Sequence, residues 1–143
     1  MTLHDVLQTK GWEVFTTSPD TKLSEVVRLL VAHNCGSLVV LEDEDPQRMV
    51  GIVTERDILR ACAASRPLDE TPVEQVMTRE VLTGHVDKSL AETMGLMTER
   101  RIRHLPLVEG KRLIGIISIG DVVKAQHDRL TAENHHLKNY IQS

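Results

Sequence analysis

The chain contains one folding unit written twice. Residues 14–42, VFTTSPDTKLSEVVRLLVAHNCGSLVVLE, align without a gap on residues 81–109, VLTGHVDKSLAETMGLMTERRIRHLPLVE. Residues 50–61, VGIVTERDILRA, align in the same way on residues 114–125, IGIISIGDVVKA. A small repeated unit cannot bury its apolar face alone, so we expect the two copies to pack together and to form a cleft suited to a ligand.

The two copies differ in length by three residues. The offset between them is 67 at the start (81 minus 14) and 64 in the later block (114 minus 50). The extra residues fall in the acidic, proline-containing stretch 42–48, which matches the shorter stretch 109–112. We expect the longer stretch to form a solvent-exposed turn.

Each copy has the same predicted order of elements: strand, helix, strand, strand, helix. The first helix of each copy has apolar residues at three- and four-residue spacing, and the closing helices begin near Asp57 and Asp121. Pro106 cannot donate a ladder hydrogen bond, which suits a sheet edge or a strand start. The predicted fold is α+β, two β-α-β-β-α units packed pseudo-symmetrically. The predicted strands are residues 13–16, 37–41, 50–53, 80–83, 105–108 and 113–117.

A linker separates the two units. Residues 66–72 are polar and bracketed by prolines. Residues 73–78 then lead into the second copy, much as residues 3–7 lead into the first. We therefore predict three parts, namely residues 1–68 (first unit with its lead-in), 69–127 (linker and second unit) and 128–143 (helix extension).

The pattern after Asp121 predicts one long C-terminal helix, since residues 122–143 contain neither glycine nor proline. Val123, Leu130 and Leu137 are seven residues apart, and Tyr140 and Ile141 extend the stripe. Such a stripe suits a partner helix or the protein's own surface. Both interpretations are open.

Composition excludes several classes of function. The aromatic residues are Trp12, Phe15 and Tyr140, too few for a stacking platform, and the net charge of −4 argues against a nucleic-acid partner. No apolar run reaches the roughly 20 residues of a membrane span, and the first residues lack a secretion signal. We therefore expect a cytoplasmic protein. No metal site is predicted, because no histidines or cysteines stand at zinc-ligand spacing.

A hydroxyl and a carboxylate recur three residues apart where each final strand becomes a helix. They are Thr54 with Asp57, and Ser118 with Asp121. Either pair can form a capping box, which needs no ligand. Either carboxylate can also project from the carboxyl end of its strand and accept hydrogen bonds from two sugar hydroxyls. The two interpretations are compatible.

These residues resemble those of a known family, the tandem cystathionine β-synthase (CBS) domain pair, or Bateman module. The resemblance covers about residues 6–125 and depends on Gly-Ile-Val-Thr-x-x-Asp at 51–57, Gly-Ile-Ile-Ser-x-x-Asp at 115–121 and Arg-His-Leu-Pro-Leu-Val at 103–108. Within the family, the chain is similar to small stand-alone proteins made of one pair and a C-terminal helix.

The resemblance implies a signalling module that binds AMP, ATP or NAD as a regulatory ligand in up to two clefts between the units. It implies no catalytic cofactor, a homodimer, and a separate protein that the module regulates. Ribose contacts carry over to Thr54, Asp57, Ser118 and Asp121. Base contacts carry over to Thr16, Thr17, Ser18, Ser37, Val53, Thr83, His85 and Ile117.

The copies differ most where the first helix hands over to its strand. Residues 33–37 are nearly neutral, whereas the matched residues 100–104 carry three arginines and a histidine. Cations can complement the dipole at a helix end, which explains at least one arginine without a ligand. We favour phosphate binding, since guanidinium matches phosphate oxygens bidentately. The candidate phosphate-binding residues are Arg100, Arg101, Arg103 and His104. Arg56 is a fifth candidate, for which a solvent-facing side chain is an equally good interpretation.

An alternative function needs no small molecule. The chain could be an interaction module that acts through its C-terminal helix, with Thr54 and Ser118 serving only as caps. An enzyme is not predicted, since the sequence contains no supported catalytic triad and no glycine-rich phosphate loop.

Overall fold

The computed structural model describes residues 1–142. It is α+β, as predicted, and its two units share the order helix, strand, strand, helix. The first unit contains β1 (Thr16–Thr17), α2 (Leu23–His33), β2 (Ser37–Leu41), β3 (Met49–Thr54) and α3 (Glu55–Ala63). The second contains α4 (Leu90–Arg100), β4 (His104–Glu109), β5 (Arg112–Ser118) and the start of α5 (Ile119–Gln142). A lead-in helix, α1 (Leu3–Lys10), precedes the first unit, and a 3-10 turn at Val73–Gln75 precedes the second.

Each of the two sheets is built around an antiparallel pair of strands with the same register. In the first sheet β2 pairs antiparallel with β3, with Ser37 opposite Thr54, and β1 adds in parallel to the other edge of β2. In the second sheet β4 pairs antiparallel with β5, with His104 opposite Ser118. This register places the entry of one strand beside the exit of the next in both units. The candidate site residues at these ends are therefore neighbours.

The predicted opening strand at residues 80–83 is wrong. The second sheet has two strands, and the opening stretch makes only one bridge, between Gly84 and Leu107. In the first unit, the Val39 N–H donates to the Phe15 carbonyl at 3.1 Å. The matched residue of β4 is Pro106, which has no N–H, so the corresponding bond cannot form. The other opening strand is also shorter than predicted, because β1 comprises two residues rather than 13–16.

The two apolar cores are completed crosswise. Leu3 and Leu7 of α1 are buried in the core of the second unit, whereas Val73 and Met77 are buried in the core of the first. Backbone bonds fix the exchange: the Leu3 N–H donates to the Lys88 carbonyl at 3.0 Å, and the Val73 N–H donates to the Thr21 carbonyl at 2.8 Å. Each lead-in thus precedes one unit in the sequence and packs on the other. The predicted boundaries at 68 and 127 divide the sequence into its repeats. They do not divide the packing, because each core includes residues from the other unit's lead-in.

Matched glycines receive these exchanged segments. A Cβ at Gly51 would stand 2.6 Å from the Met77 Sδ, and a Cβ at Gly115 would stand 2.9 Å from the Leu7 Cδ1. Both distances are shorter than van der Waals contact. The sequence Gly-Ile therefore recurs in both copies because the lead-in of the other unit packs on the glycine.

The C-terminal helix is continuous from its first residue, as predicted. Its apolar stripe is exposed: Leu130 and Leu137 have exposed fractions of 52% and 59%. Folding back over the chain's own surface is therefore not observed for this stripe. The turn at residues 43–48 is exposed, as predicted. No helix within the described residues combines the length and apolar character needed to cross a bilayer.

Candidate functional site

A cleft of about 1030 Å³ lies between the two units. The first unit contributes the end of β3 and the first turns of α3. The second contributes the handover from α4 to β4, the end of β5 and the stretch 78–82. Because both units form its walls, the cleft changes shape whenever one unit moves relative to the other.

Thr54 and Asp57 form a capping box at the floor of this cleft. The Asp57 Oδ2 accepts from the Thr54 N–H at 2.9 Å and from the Thr54 hydroxyl at 3.2 Å, and the Asp57 N–H donates to the Thr54 Oγ1 at 3.3 Å. The predicted cap is therefore confirmed. Within the described residues no hydrogen bond reaches the Asp57 Oδ1, which leaves an acceptor at the cleft.

Ser118 and Asp121 form the equivalent box, with one addition. The Asp121 Oδ2 accepts from the Ser118 N–H at 2.8 Å, and it also pairs with the Lys10 Nζ at 2.6 Å. Burial raises the pKa of Asp121, but the Lys10 ammonium and the Ser118 N–H outweigh it and hold the pKa below its usual value. Asp121 is therefore a paired carboxylate at neutral pH.

Basic side chains line the cleft on both sides. Arg101 and Arg103, from the handover between α4 and β4, line the cleft together with Arg56 and Arg60 of α3. Three carboxylates balance much of this charge: Glu55, Asp57 and Glu80.

The backbone of Arg101 is left-handed. It ends α4 with φ 54° and ψ 40°, and the matched residue Asn34 ends α2 with φ 49° and ψ 49°. Asparagine tolerates this conformation better than arginine does. An arginine at this helix end therefore costs stability relative to asparagine.

His104 is half-buried where the two units meet. Its ring lies against Gly36, since a Cβ there would stand 3.0 Å from the His104 Nε2. Burial is the main cause that lowers the pKa of His104, while Glu55 opposes the shift. The imidazole is therefore neutral at pH 7 and can offer one N–H to a ligand, without a positive charge.

The structure brings most of the predicted ribose and phosphate residues together. Thr54, Asp57 and Ser118 line the cleft, as do four of the five predicted phosphate residues. The exception is Arg100, the last residue of α4, which is exposed and lies outside the lining of this cleft. Asp121 lies beyond the described lining of this cleft. The four predicted phosphate residues that line the cleft are Arg56, Arg101, Arg103 and His104.

The predicted base contacts do not line this cleft. Val53 and Ile117 are fully buried in their cores, and Ile52, on the opposite face of the strand, lines the cleft instead. Ser18 bonds within its own turn, to Asp20 at 2.8 Å. The other predicted residues outside the lining are Thr16, Thr17, Ser37, Thr83 and His85.

Several residues that line the cleft were not among the predicted site residues. Thr78, Val81 and Leu82 lie on the stretch that runs past Asp57 before the Gly84 bridge. The signal that could have found them is the second lead-in, which pairs with β3 through the Ile52–Thr78 bridge. Among residues 1–142, no group of three or more histidine, cysteine or acidic side chains is arranged to hold a metal ion.

A sequence model of the CBS domain matches residues 3–64 and 73–128 of the chain. The mitochondrial CBS domain-containing protein CBSX3 of Arabidopsis thaliana is 37% identical over 150 residues, which span 99% of this chain and 72% of the relative.

Solved structures agree with this match. A CBS-domain containing protein from Agrobacterium tumefaciens superimposes with a TM-score of 0.83 at 38% identity, covering 87% of this chain and 92% of the other. A CBS domain protein from Pyrobaculum aerophilum, complexed with AMP, superimposes with a TM-score of 0.76 at 26% identity, covering 85% of this chain and 89% of the other.

Proposed function

Because the chain belongs to the CBS domain family, we propose that it is a regulatory module that senses an adenosine nucleotide in the cleft between its units. The observation that carries the proposal is that one cleft joins Asp57 of the first unit to Arg101 and Arg103 of the second. These residues offer a diol acceptor and phosphate donors to one ligand.

The chemistry of the two walls matches the two ends of a nucleotide. The Asp57 carboxylate would accept hydrogen bonds from the ribose hydroxyls, and its second oxygen is already fixed by Thr54. The guanidinium groups would pair with phosphate oxygens in charge-assisted, bidentate bonds. The apolar side chains of Ile52, Val81 and Leu82 would contact the base.

AMP is the first ligand to test, because the Pyrobaculum aerophilum relative was solved with AMP. The cleft volume of about 1030 Å³ also leaves room for ATP or NAD. Mass spectrometry of small molecules released from the purified protein would identify the bound species directly.

The binding test uses Asp57→Asn and Asp57→Ala, measured by calorimetry with AMP, ATP and NAD. Asp57→Asn retains an oxygen acceptor for the Thr54 N–H, so its cap is largely preserved while the charge is lost. We expect at least tenfold weaker binding, consistent with the loss of about 1.5–3 kcal/mol from a charged hydrogen bond. Unchanged affinity in both variants, with folding verified by circular dichroism, would reject the proposed site.

Regulation would follow from differential binding. A ligand that contacts both walls stabilises the arrangement of the units that brings the walls together, and a partner would respond to that population. The role is regulatory rather than catalytic. AMP recovered unchanged after prolonged incubation is the expected result, and its turnover would contradict this role.

The exposed stripe of α5 supports a homodimer. Val123, Leu130 and Leu137 are all more than half exposed and spaced by seven residues, as in paired helices. We expect the unaltered chain to sediment as a dimer and Leu130→Lys with Leu137→Lys to sediment as a monomer.

The same stripe supports the alternative function, an interaction module without a nucleotide. Deletion of residues 130–143 separates the two functions. The nucleotide sensor retains AMP binding after the deletion. The alternative predicts that neither the full chain nor the deletion binds any nucleotide.

A further inference from the structure

Lys10 makes two contacts at the second copy's carboxylate. Its Nζ lies 2.6 Å from the Asp121 Oδ2 and 2.6 Å from the Ile116 carbonyl oxygen. Less than a third of either charged side chain is exposed, 29% for Lys10 and 23% for Asp121. The pair is therefore partly shielded from water.

Among residues 1–142, no lysine makes the equivalent contact in the first copy. In that copy the Ile52 carbonyl accepts from the Thr78 N–H at 2.8 Å, a backbone bond. The matched Ile116 carbonyl accepts from the Lys10 ammonium instead. The Lys10 side chain thus takes the place of a backbone N–H and also pairs with Asp121. The matching carboxylate of the first copy, Asp57, has no lysine partner within the described residues.

The lead-ins carry opposite charges at this point. Leu3 matches Val73 through their backbone bonds and Leu7 matches Met77 through the two glycines, each at an offset of 70. At the same offset, Lys10 (80 minus 70) matches Glu80, which lines the cleft of Asp57. A glutamate cannot pair with Asp57, whereas a lysine pairs with Asp121. The asymmetry therefore lies in the lead-ins as well as in the arginine cluster.

We infer that Lys10 occupies the ribose position of the second copy and restricts the chain to one adenosine nucleotide, bound at Asp57. This inference depends on the proposed function, because it concerns which carboxylate is open to the same ligand. An ammonium is a charged donor, and its bond to a carboxylate is stronger than that of a neutral ribose hydroxyl. Lys10 is also tethered beside Asp121, so a ligand must displace a partner of high local concentration.

The test places Lys10→Met on an Asp57→Ala background and measures AMP binding by calorimetry. We expect Asp57→Ala alone to bind AMP weakly, and the addition of Lys10→Met to strengthen binding at least tenfold. A further Asp121→Ala substitution should remove the gain. In the unaltered chain we expect one AMP per chain.

Two variants control for folding and for charge. Lys10→Gln keeps a donor for the Ile116 carbonyl and loses the charge, so it should also open the site if Lys10→Met unfolds the chain. Lys124→Met removes a lysine from the turn of α5 that follows Asp121, and it should leave binding unchanged.

Two results would overturn the inference. One is that neither Lys10 variant gains AMP binding that depends on Asp121. The other is that the unaltered chain binds two AMP molecules, one of which is lost with Asp121→Ala. The proposed function fails separately, if the unaltered chain binds no adenosine nucleotide at Asp57.

Discussion

His104 of the second unit lies against Gly36 of the first, so closely that a Cβ on the glycine would stand 3.0 Å from the His104 Nε2. Both residues line the cleft. Their contact joins the entry of β2 to the entry of β4 across the interface between the units. Any side chain at residue 36 would have to move the imidazole.

Gly36→Ala should therefore destabilise the chain by about 1–2 kcal/mol through overpacking. The cause is specific to the imidazole, so the same substitution in a His104→Ala background should cost less. Urea unfolding of the four proteins in this double-mutant cycle measures the coupling, which we expect to exceed about 0.5 kcal/mol. Equal costs in both backgrounds would show that the steric contact does not limit stability.

Stability should depend on pH through His104. Burial lowers the pKa of the folded imidazole, whereas the unfolded residue titrates near its ordinary value of 6.5. Below that value the unfolded state binds more protons, so the free energy of unfolding falls as the pH decreases. Glu55 and Asp121 oppose this lowering of the His104 pKa through their negative charges, while the positive charges of Arg103 and Lys10 add to it.

His104→Gln removes this contribution. We expect the variant to lose less stability than the unaltered chain between pH 7.5 and pH 5.5, measured by urea unfolding at each pH. An identical slope for both proteins would exclude His104 as the group responsible.

Replacement of Arg101 should raise stability and weaken AMP binding. Arg101→Asn places in α4 the residue that ends α2 in the same left-handed conformation. We expect a gain of about 0.5 kcal/mol, since asparagine adopts this conformation at lower cost. If Arg101 binds the phosphate as proposed, AMP affinity falls about tenfold in the same variant. Calorimetry and thermal unfolding of one protein sample would test both effects. A variant that gains stability and keeps full AMP affinity would show that Arg101 takes no part in binding.

Gly51→Ala should be strongly destabilising. The new Cβ would stand 2.6 Å from the Met77 Sδ and 2.9 Å from the Thr78 carbonyl oxygen, a backbone atom that cannot rotate away. We expect a loss of about 1–3 kcal/mol. Gly95→Ala is the matched control, because within the described residues no atom beyond its chain neighbours and its own helix backbone lies within 4 Å of its Cβ position in α4. That variant should gain about 0.5–1 kcal/mol from helix propensity, and a comparable loss in both would contradict the packing argument.

The sequence repeat predicted the α+β fold and most strand positions, because apolar periodicity and turn residues are local signals. It did not predict the loss of the second opening strand. That loss depends on one missing N–H, at Pro106, opposite a backbone carbonyl that no local pattern identifies. The crosswise packing of the lead-ins was also missed, since alignment of the copies gives their order and not their partners.

The candidate site was predicted unevenly for the same reason. Thr54, Asp57 and the cluster at 101–104 carry chemistry that is visible in the sequence, and the structure brings them to one cleft. The base contacts were assigned to residues such as Val53, which faces the core. The contact between Lys10 and Asp121 spans 111 residues (121 minus 10) and has no signal in either copy.

The crosswise lead-ins bear on how such a chain can be divided. A fragment that ends at residue 68 would lack Val73 and Met77, which its core requires, and its α1 would have no second core to cover. The complementary fragment would lack Leu3 and Leu7. Each fragment would thus have an incomplete hydrophobic core. We therefore expect the two units to fold and unfold in one cooperative transition, and a single copy of the repeat would not fold by itself.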